Sequence, residues 1–212
     1  EGGRIRDGLR EAVEQAILTF GNGFLRHPRN QVLRDDLAAG RLRPEAYYRE
    51  LLYLIYRLLF LMVAEGRQLL QAKGDDDEAR AAYQRYQSYM SMARLRALAE
   101  QPLSAPERFD DLYLGLQALF EVLRNPRLCA PVGLAPLNGE LFQPLQQLDA
   151  AYLNNRDLLT AVEALSYFVP AGERHRSRVN YAALDVEELG SVYESLLDYQ
   201  PVVEYAASGV RF

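Results

Sequence analysis

YRELLYLIYRLLFLMVAEGR, Tyr48 to Arg67, decides the fold, because its apolar residues cover every side of a helix instead of one stripe. A helix of that kind has to sit at the centre of other elements. From Leu51 to Ala64 only Arg57 is charged, and the stretch falls short of the roughly 20 apolar residues that span a bilayer. The reading is a buried core helix that starts at about Pro44, a residue suited to a first helical position, and continues to about Ala72. The fold class that follows is mainly α: a multi-helix bundle around this central helix (about 44–72), with a small extended or β element toward the C-terminus.

Upstream, Leu9, Val13, Ala16, Ile17 and Phe20 recur at helical spacing, and Gly21-Asn22-Gly23 is expected to end that helix. Asn30 is a plausible N-cap for a short helix over Gln31–Ala39, with Gly40 placed to adopt the left-handed conformation after it. These two and the central helix are expected to form an antiparallel cluster.

Downstream, Asp75-Asp76-Asp77-Glu78 lacks the alternating oxygen ligands, central glycine and terminal glutamate of a calcium loop, and reads as a solvated turn ending in an N-cap. A helix over 78–98 follows, with Tyr83, Tyr86, Met90, Ala93 and Ala97 as an inward stripe. Pro106 and Glu107 open another helix, whose face of Leu112, Leu116, Leu119, Phe120 and Leu123 runs to the break at Asn125-Pro126. Residues 127–144 read as a long ordered connection, since Leu128, Leu134, Leu137, Leu141 and Phe142 need burial. Two segments result, a helical core over 1–125 and a helical and extended continuation over 126–212 packed on it or merged with it.

Asn155 is expected to cap a helix to about Tyr167, and 169–181 to be extended or turned. Asp185 followed three residues later by Glu188 is a capping-box pattern for a last helix ending near Asp198. Gly190 inside that helix costs about 1 kcal/mol relative to alanine, which suggests the close approach of another backbone. Residues 202–212 read as extended.

The chain has 212 residues, a hydrophobic content of 49%, and a formal net charge of -5. That balance argues against a free-standing nucleic-acid binder, whose affinity would rest on a basic face. One cysteine, Cys129, and two histidines, His27 and His175, offer neither an intrachain disulfide nor a metal-ligand cluster. With no secretory signal pattern, a cytoplasmic setting is expected. The absence of an initial methionine suggests a piece of a longer polypeptide.

Catalytic constellations are hard to assemble. Glu187, Glu188 and Glu194 are accompanied by no histidine or activated nucleophile, Lys73 is the only lysine, and no glycine motif for phosphates is present. The densest basic patch is Arg174, His175, Arg176 and Arg178, a weak candidate for phosphate contacts. Arg57 raises a separate question, since an unpaired guanidinium in a core costs several kcal/mol. The expectation is an ion pair with an acid on another helix, Glu194 first, which would lock the last helix onto the central one; the competing reading is that Arg57 reaches the surface.

Four segments carry a family resemblance: DGLREAVEQAILTFGNGFLRH (7–27), the run from Tyr47 to Arg67, LNGELF (137–142) and NYAALDVEELGSVYESLLDYQP (180–201). Together they resemble the helical region of type IIG restriction–modification enzymes and related phage-defence proteins, in which one chain carries an adenine-specific DNA methyltransferase. LDVEELGSVYESLL is the most specific element, whereas Gly74 to Asn125 matches mainly through ARLRALAE. The resemblance implies S-adenosylmethionine as the parent's cofactor, flanking methyltransferase and nuclease domains as partners in the same chain, and duplex DNA as the substrate. No N-P-P-Y motif, cofactor glycine motif or nuclease core lies in this sequence, so no family catalytic or cofactor-binding residue is carried over. The function implied is a helical scaffold that positions catalytic domains; the alternative is an independent helical protein–protein adaptor.

Overall fold

The central helix, α3 (Pro44–Gly66), begins with Pro44 in its first turn after an extended Arg43. The N–H that proline lacks would have had no helical partner at this position in any case, and its fixed φ suits the start. Leu51, Leu54, Ile55, Leu58, Leu59 and Leu61 are wholly buried, whereas Tyr53 and Tyr56 are half-buried and Phe60 is 40% exposed. The apolar run is thus enclosed except along this one aromatic line. The helix stops at Gly66 instead of continuing to about Ala72, because Gln68 adopts a left-handed backbone with φ of 57°. Leu69 N–H then donates to the Ala64 carbonyl at 2.8 Å and Gln68 N–H to that of Glu65 at 3.1 Å, the paired bonds of a Schellman stop.

The computed structural model describes residues 2–101, 109–170, 172–206 and 209–212. Before α3 come α1 (Gly2–Arg26) and α2 (Gln31–Ala38). α1 passes through Gly21 and Gly23 without ending, so these glycines serve close packing instead of a turn. A Cβ on Gly23 would meet Leu153 Cδ1 at 2.8 Å, and one on Gly21 would overlap the Phe212 ring. Asn30 is buried and does not cap α2; its side chain donates to the carbonyls of Phe24 at 2.8 Å and Tyr152 at 2.7 Å. The expected antiparallel cluster of three is therefore displaced: α1 packs on α3, but its most extensive neighbour is α8 (Asn155–Ser166), far along the chain.

The single helix expected over 78–98 is two, α4 (Asp77–Tyr89) and α5 (Met92–Glu100). Asp76 caps α4 and Ser91 caps α5, each accepting from a backbone N–H three residues on. Glu65 at the end of α3 also accepts from Met92 N–H at 2.9 Å, Ala93 N–H at 2.8 Å and Tyr86 Oη at 2.6 Å. The break rotates the inward face, so Met92, Leu95 and Ala99 are buried while Ala93 and Ala97 are exposed. α6 (Asp111–Arg124) and the short α7 (Pro126–Cys129) meet at Asn125, which caps the latter. The start expected at Pro106 and Glu107 lies outside the described residues.

The connection expected over 127–144 begins with α7 and is ordered by short 3-10 turns, and of its leucines Leu128, in α7, alone is left well exposed, at 40%. α8 is capped by Asn154, not Asn155; Asn155 is buried, donating to Asp111 at 2.8 Å. β1 (Tyr167–Phe168) pairs antiparallel with β2 (Ser177–Arg178), and β3 (Glu204–Ala206) with β4 (Gly209–Arg211). Between them α9 (Val186–Leu197) starts with both bonds of the Asp185–Glu188 capping box. The protein is mainly α, and one hydrophobic core runs from Leu9 to Leu196, drawing on residues before and after 125. No described helix is long and apolar enough to cross a membrane.

Candidate functional site

Arg57 lies wholly inside the core, so it does not reach the surface, and its partner is not Glu194. The guanidinium donates to the Leu141 carbonyl at 2.7 Å, to the Gln143 carbonyl, and to Asp149 Oδ1 at 3.2 Å. It also sits over the Phe120 ring at 4.7 Å. Burial pushes its pKa down and Asp149 pushes it back up, yet a guanidinium stays charged in proteins. Asp149 accepts in addition from Leu145 N–H at 2.7 Å and faces Arg124 at 3.6 Å. Arg57 therefore fastens the 137–150 connection to α3 and α6. Glu194 is exposed on α9, where Arg57 cannot reach it.

α9 lies along α1, and side chains tie it to α3 by other means. Val192 and Leu196 are buried beneath it, Tyr48 Oη donates to the Leu196 carbonyl at 2.8 Å, and the Tyr56 ring meets Tyr193 edge-on at 4.9 Å. Burial pushes the Tyr48 hydroxyl up to about 12, keeping it a neutral donor. Tyrosines in an otherwise aliphatic helix were the signal for this docking, because a buried phenol needs a partner.

One face of α9, beside α3, carries Val186, Gly190, Tyr193 and Leu197, spaced four, three and four apart. Val186 is 68% and Leu197 53% exposed. Val186, Gly190 and Tyr193 line an apolar groove of about 330 Å³ with Tyr53, Tyr56, Leu141 and Leu189, and Leu197 lies beyond it. Gly190 has nothing within 4 Å of a Cβ position, so the close backbone approach expected for it is not made by the described residues. Glu187, Glu194 and Asp198, also at helical spacing, are exposed along one edge of the stripe.

The basic segment 174–178 is divided by the β1–β2 hairpin. Arg176 pairs with Glu163 at 2.9 Å and lies over Tyr167, and Arg178 faces Glu100 at 3.4 Å. Arg174 and His175 are exposed nearby. Arg178 also borders a cleft of about 780 Å³ with Glu65, Arg96 and Tyr181. Its charged walls are engaged in structure: Glu65 caps α5, and Arg96 donates to the Ser166 hydroxyl at 3.2 Å and the Val179 carbonyl at 3.0 Å.

No family model, curated protein or solved structure matches this chain. Cys129 is buried with its thiol pushed up by desolvation, which disfavours the thiolate. His27 is held against Asp110 at 3.4 Å, and burial pushes it down despite that carboxylate. Among the described residues no group of three histidines, cysteines or acids is placed to hold a metal.

Proposed function

We propose that this chain is the helical scaffold of an adenine-specific DNA methyltransferase of the restriction–modification or phage-defence kind, working in a cytoplasmic setting. The observation that carries the reading is the open stripe of Val186, Gly190, Tyr193 and Leu197 on a helix otherwise anchored to the core. Apolar patches left open and rimmed by charge mark interaction surfaces. A glycine in mid-helix with empty space above it suits the close approach of an incoming helix. The acids Glu187, Glu194 and Asp198 select a partner face with basic residues beside its apolar ones. The partner proposed is the methyltransferase domain, which binds S-adenosylmethionine and the flipped adenine in its own pocket. The scaffold supplies a fixed arrangement of domains, since small misplacements of a reacting base are costly.

The test is to express the gene that encodes this segment in a host lacking adenine methylation and to quantify N6-methyladenine in its DNA. Methylation by the wild-type product, abolished by Val186→Asp with Leu197→Asp while the protein stays folded, supports the scaffold and its docking face. Methylation undiminished in that variant removes the face from the mechanism. No adenine methylation by the wild type overturns the methyltransferase reading and leaves an independent helical adaptor, which the same face would serve.

A further inference from the structure

The residue after β4, Phe212, seats its ring in a socket built by α1 and α3. The ring meets Tyr47 edge-on at 5.3 Å between centroids and lies roughly parallel to Tyr48 at 6.2 Å. Gly21 gives it room, since a Cβ there would come within 2.9 Å of the ring's Cγ. The backbone of the same residue is read by Asn22, whose Oδ1 accepts from Phe212 N–H at 2.8 Å and whose Nδ2 donates to the Phe212 carbonyl at 3.3 Å. An N–H can only donate, so these two bonds fix which way round the Asn22 amide lies.

The walls of the socket are held without the ring. Tyr47 Oη donates to the Gly21 carbonyl at 2.7 Å, Tyr48 Oη to that of Leu196 at 2.8 Å, and Asn22 Nδ2, which has a second hydrogen, to that of Leu18 at 3.0 Å. Among the described residues the hairpin has little else to hold it. Its strands are three residues each, and a two-stranded hairpin alone is marginal in water. Of its described side chains from Glu204 to Phe212, Val210 and Phe212 pack against the core, while Tyr205 is 53% exposed. An apolar recess of about 230 Å³ adjoins the ring, with Leu18, Tyr199 and Val202 in its lining.

We infer that Gly21, Asn22, Tyr47 and Tyr48 form a recognition site for an aromatic residue carried by an extended segment, which Phe212 fills reversibly, so that the β3–β4 hairpin is a strap seated and released through a single residue. A pocket whose walls are held by their own bonds keeps its shape when the strap lifts, and it reads one ring with the N–H and carbonyl of the same residue. Release opens the hairpin without unfolding the helices, because α1 keeps its packing on α8 and α3 keeps its own on α5. The inference does not rest on the methyltransferase reading, since site and strap both belong to this chain.

The experiment is hydrogen–deuterium exchange of the whole chain followed by mass spectrometry, for the wild type, Phe212→Ala and Gly21→Ala. Gly21→Ala is the sharper variant, because alanine favours the helix while its Cβ takes the place of the ring. Both are expected to speed exchange over residues 204–211 about tenfold and to leave α3 and α8 at wild-type rates. Unchanged rates over 204–211 in either variant overturn the proposal, as does equal acceleration in α3, which would make Phe212 an ordinary core residue. Recognition is read by saturation-transfer NMR with N-acetylphenylalaninamide, which carries the ring and both backbone groups. Its ring protons are expected to respond with Phe212→Ala and to lose that response when Gly21→Ala is added to the same chain. No response from Phe212→Ala, or the same response from both chains, overturns the recognition site.

Discussion

Arg57 shows how one buried charge organises a segment that has almost no regular structure of its own. Its removal as Arg57→Met would leave the Leu141 and Gln143 carbonyls without this donor and take the buried cation from Asp149. Breaking a buried pair from one side costs about 3–5 kcal/mol, so the urea midpoint should fall steeply. Glu194→Gln, on the exposed rim, should move the midpoint by no more than about 0.5 kcal/mol in free energy. Equal effects from the two would contradict the assignment of Asp149 as the partner. Glu50 gives a pH signature at the same connection, accepting from Gln147 N–H at 2.9 Å and Leu148 N–H at 3.1 Å. Desolvation raises its pKa above 4.5 in spite of those bonds. A carboxyl raised on folding binds its proton more tightly in the native state, so its contribution is full below 4.5 and is lost as pH rises through the folded value. The stability of Glu50→Gln relative to the parent should therefore climb from acid toward neutral pH, measured by urea unfolding; a flat difference would contradict the shift.

At the level of elements, two glycines with opposite surroundings separate backbone need from surface use. Gly133 has φ of 65°, and a Cβ on it would meet the Tyr83 backbone nitrogen at 2.6 Å, whereas Gly190 is helical and open. Gly190→Ala should stabilise the isolated chain by about 0.5–1 kcal/mol, because alanine loses less backbone entropy in a helix. Gly133→Ala should destabilise by more than that, since strain and overlap both act against it. Thermal unfolding of the two variants checks the sign; destabilisation by Gly190→Ala would mean that its face is already occupied. The same elements show what sequence reading reaches. Pro44, the Asp185–Glu188 box and the aliphatic run of α3 are local signals and fell where expected. Gly21, Gly23, Asn30 and Gly190 misled because a glycine or asparagine has several uses, and its choice depends on neighbours such as Leu153 and Tyr152 from far along the chain. The break between α4 and α5 is hidden for a related reason: Ser91 is a weak stop by itself, and Glu65 from another helix completes the cap. The compact 174–178 cluster that caught attention is divided by its contacts, Arg176 pairing with Glu163 and Arg178 facing Glu100.

For the whole molecule, the decisive fact is that α8 lies against α1, and the core joins Leu9, Val13 and Phe20 with Leu158, Val162 and Leu165. A boundary near residue 125 therefore divides the sequence and not the hydrophobic core. Segment 1–125 alone would expose the α1 face that α8 covers and leave Arg57 without Leu141, Gln143 and Asp149. Segment 126–212 would have α8 and α9 with neither α1 nor α3 to bury Leu158 or Leu196. Folding should then be all-or-none across the chain. Urea unfolding followed by far-ultraviolet circular dichroism and by fluorescence of the 14 tyrosines, in a chain with no tryptophan, should give superimposable transitions. Each segment produced separately should lack a cooperative transition. Two resolved transitions, or a segment 1–125 that unfolds cooperatively by itself, would show that the continuation is an appendage. A rigid spacer between catalytic domains needs the first outcome, because a scaffold whose halves unfold independently cannot hold what docks at α9 in a fixed place relative to the rest of the chain.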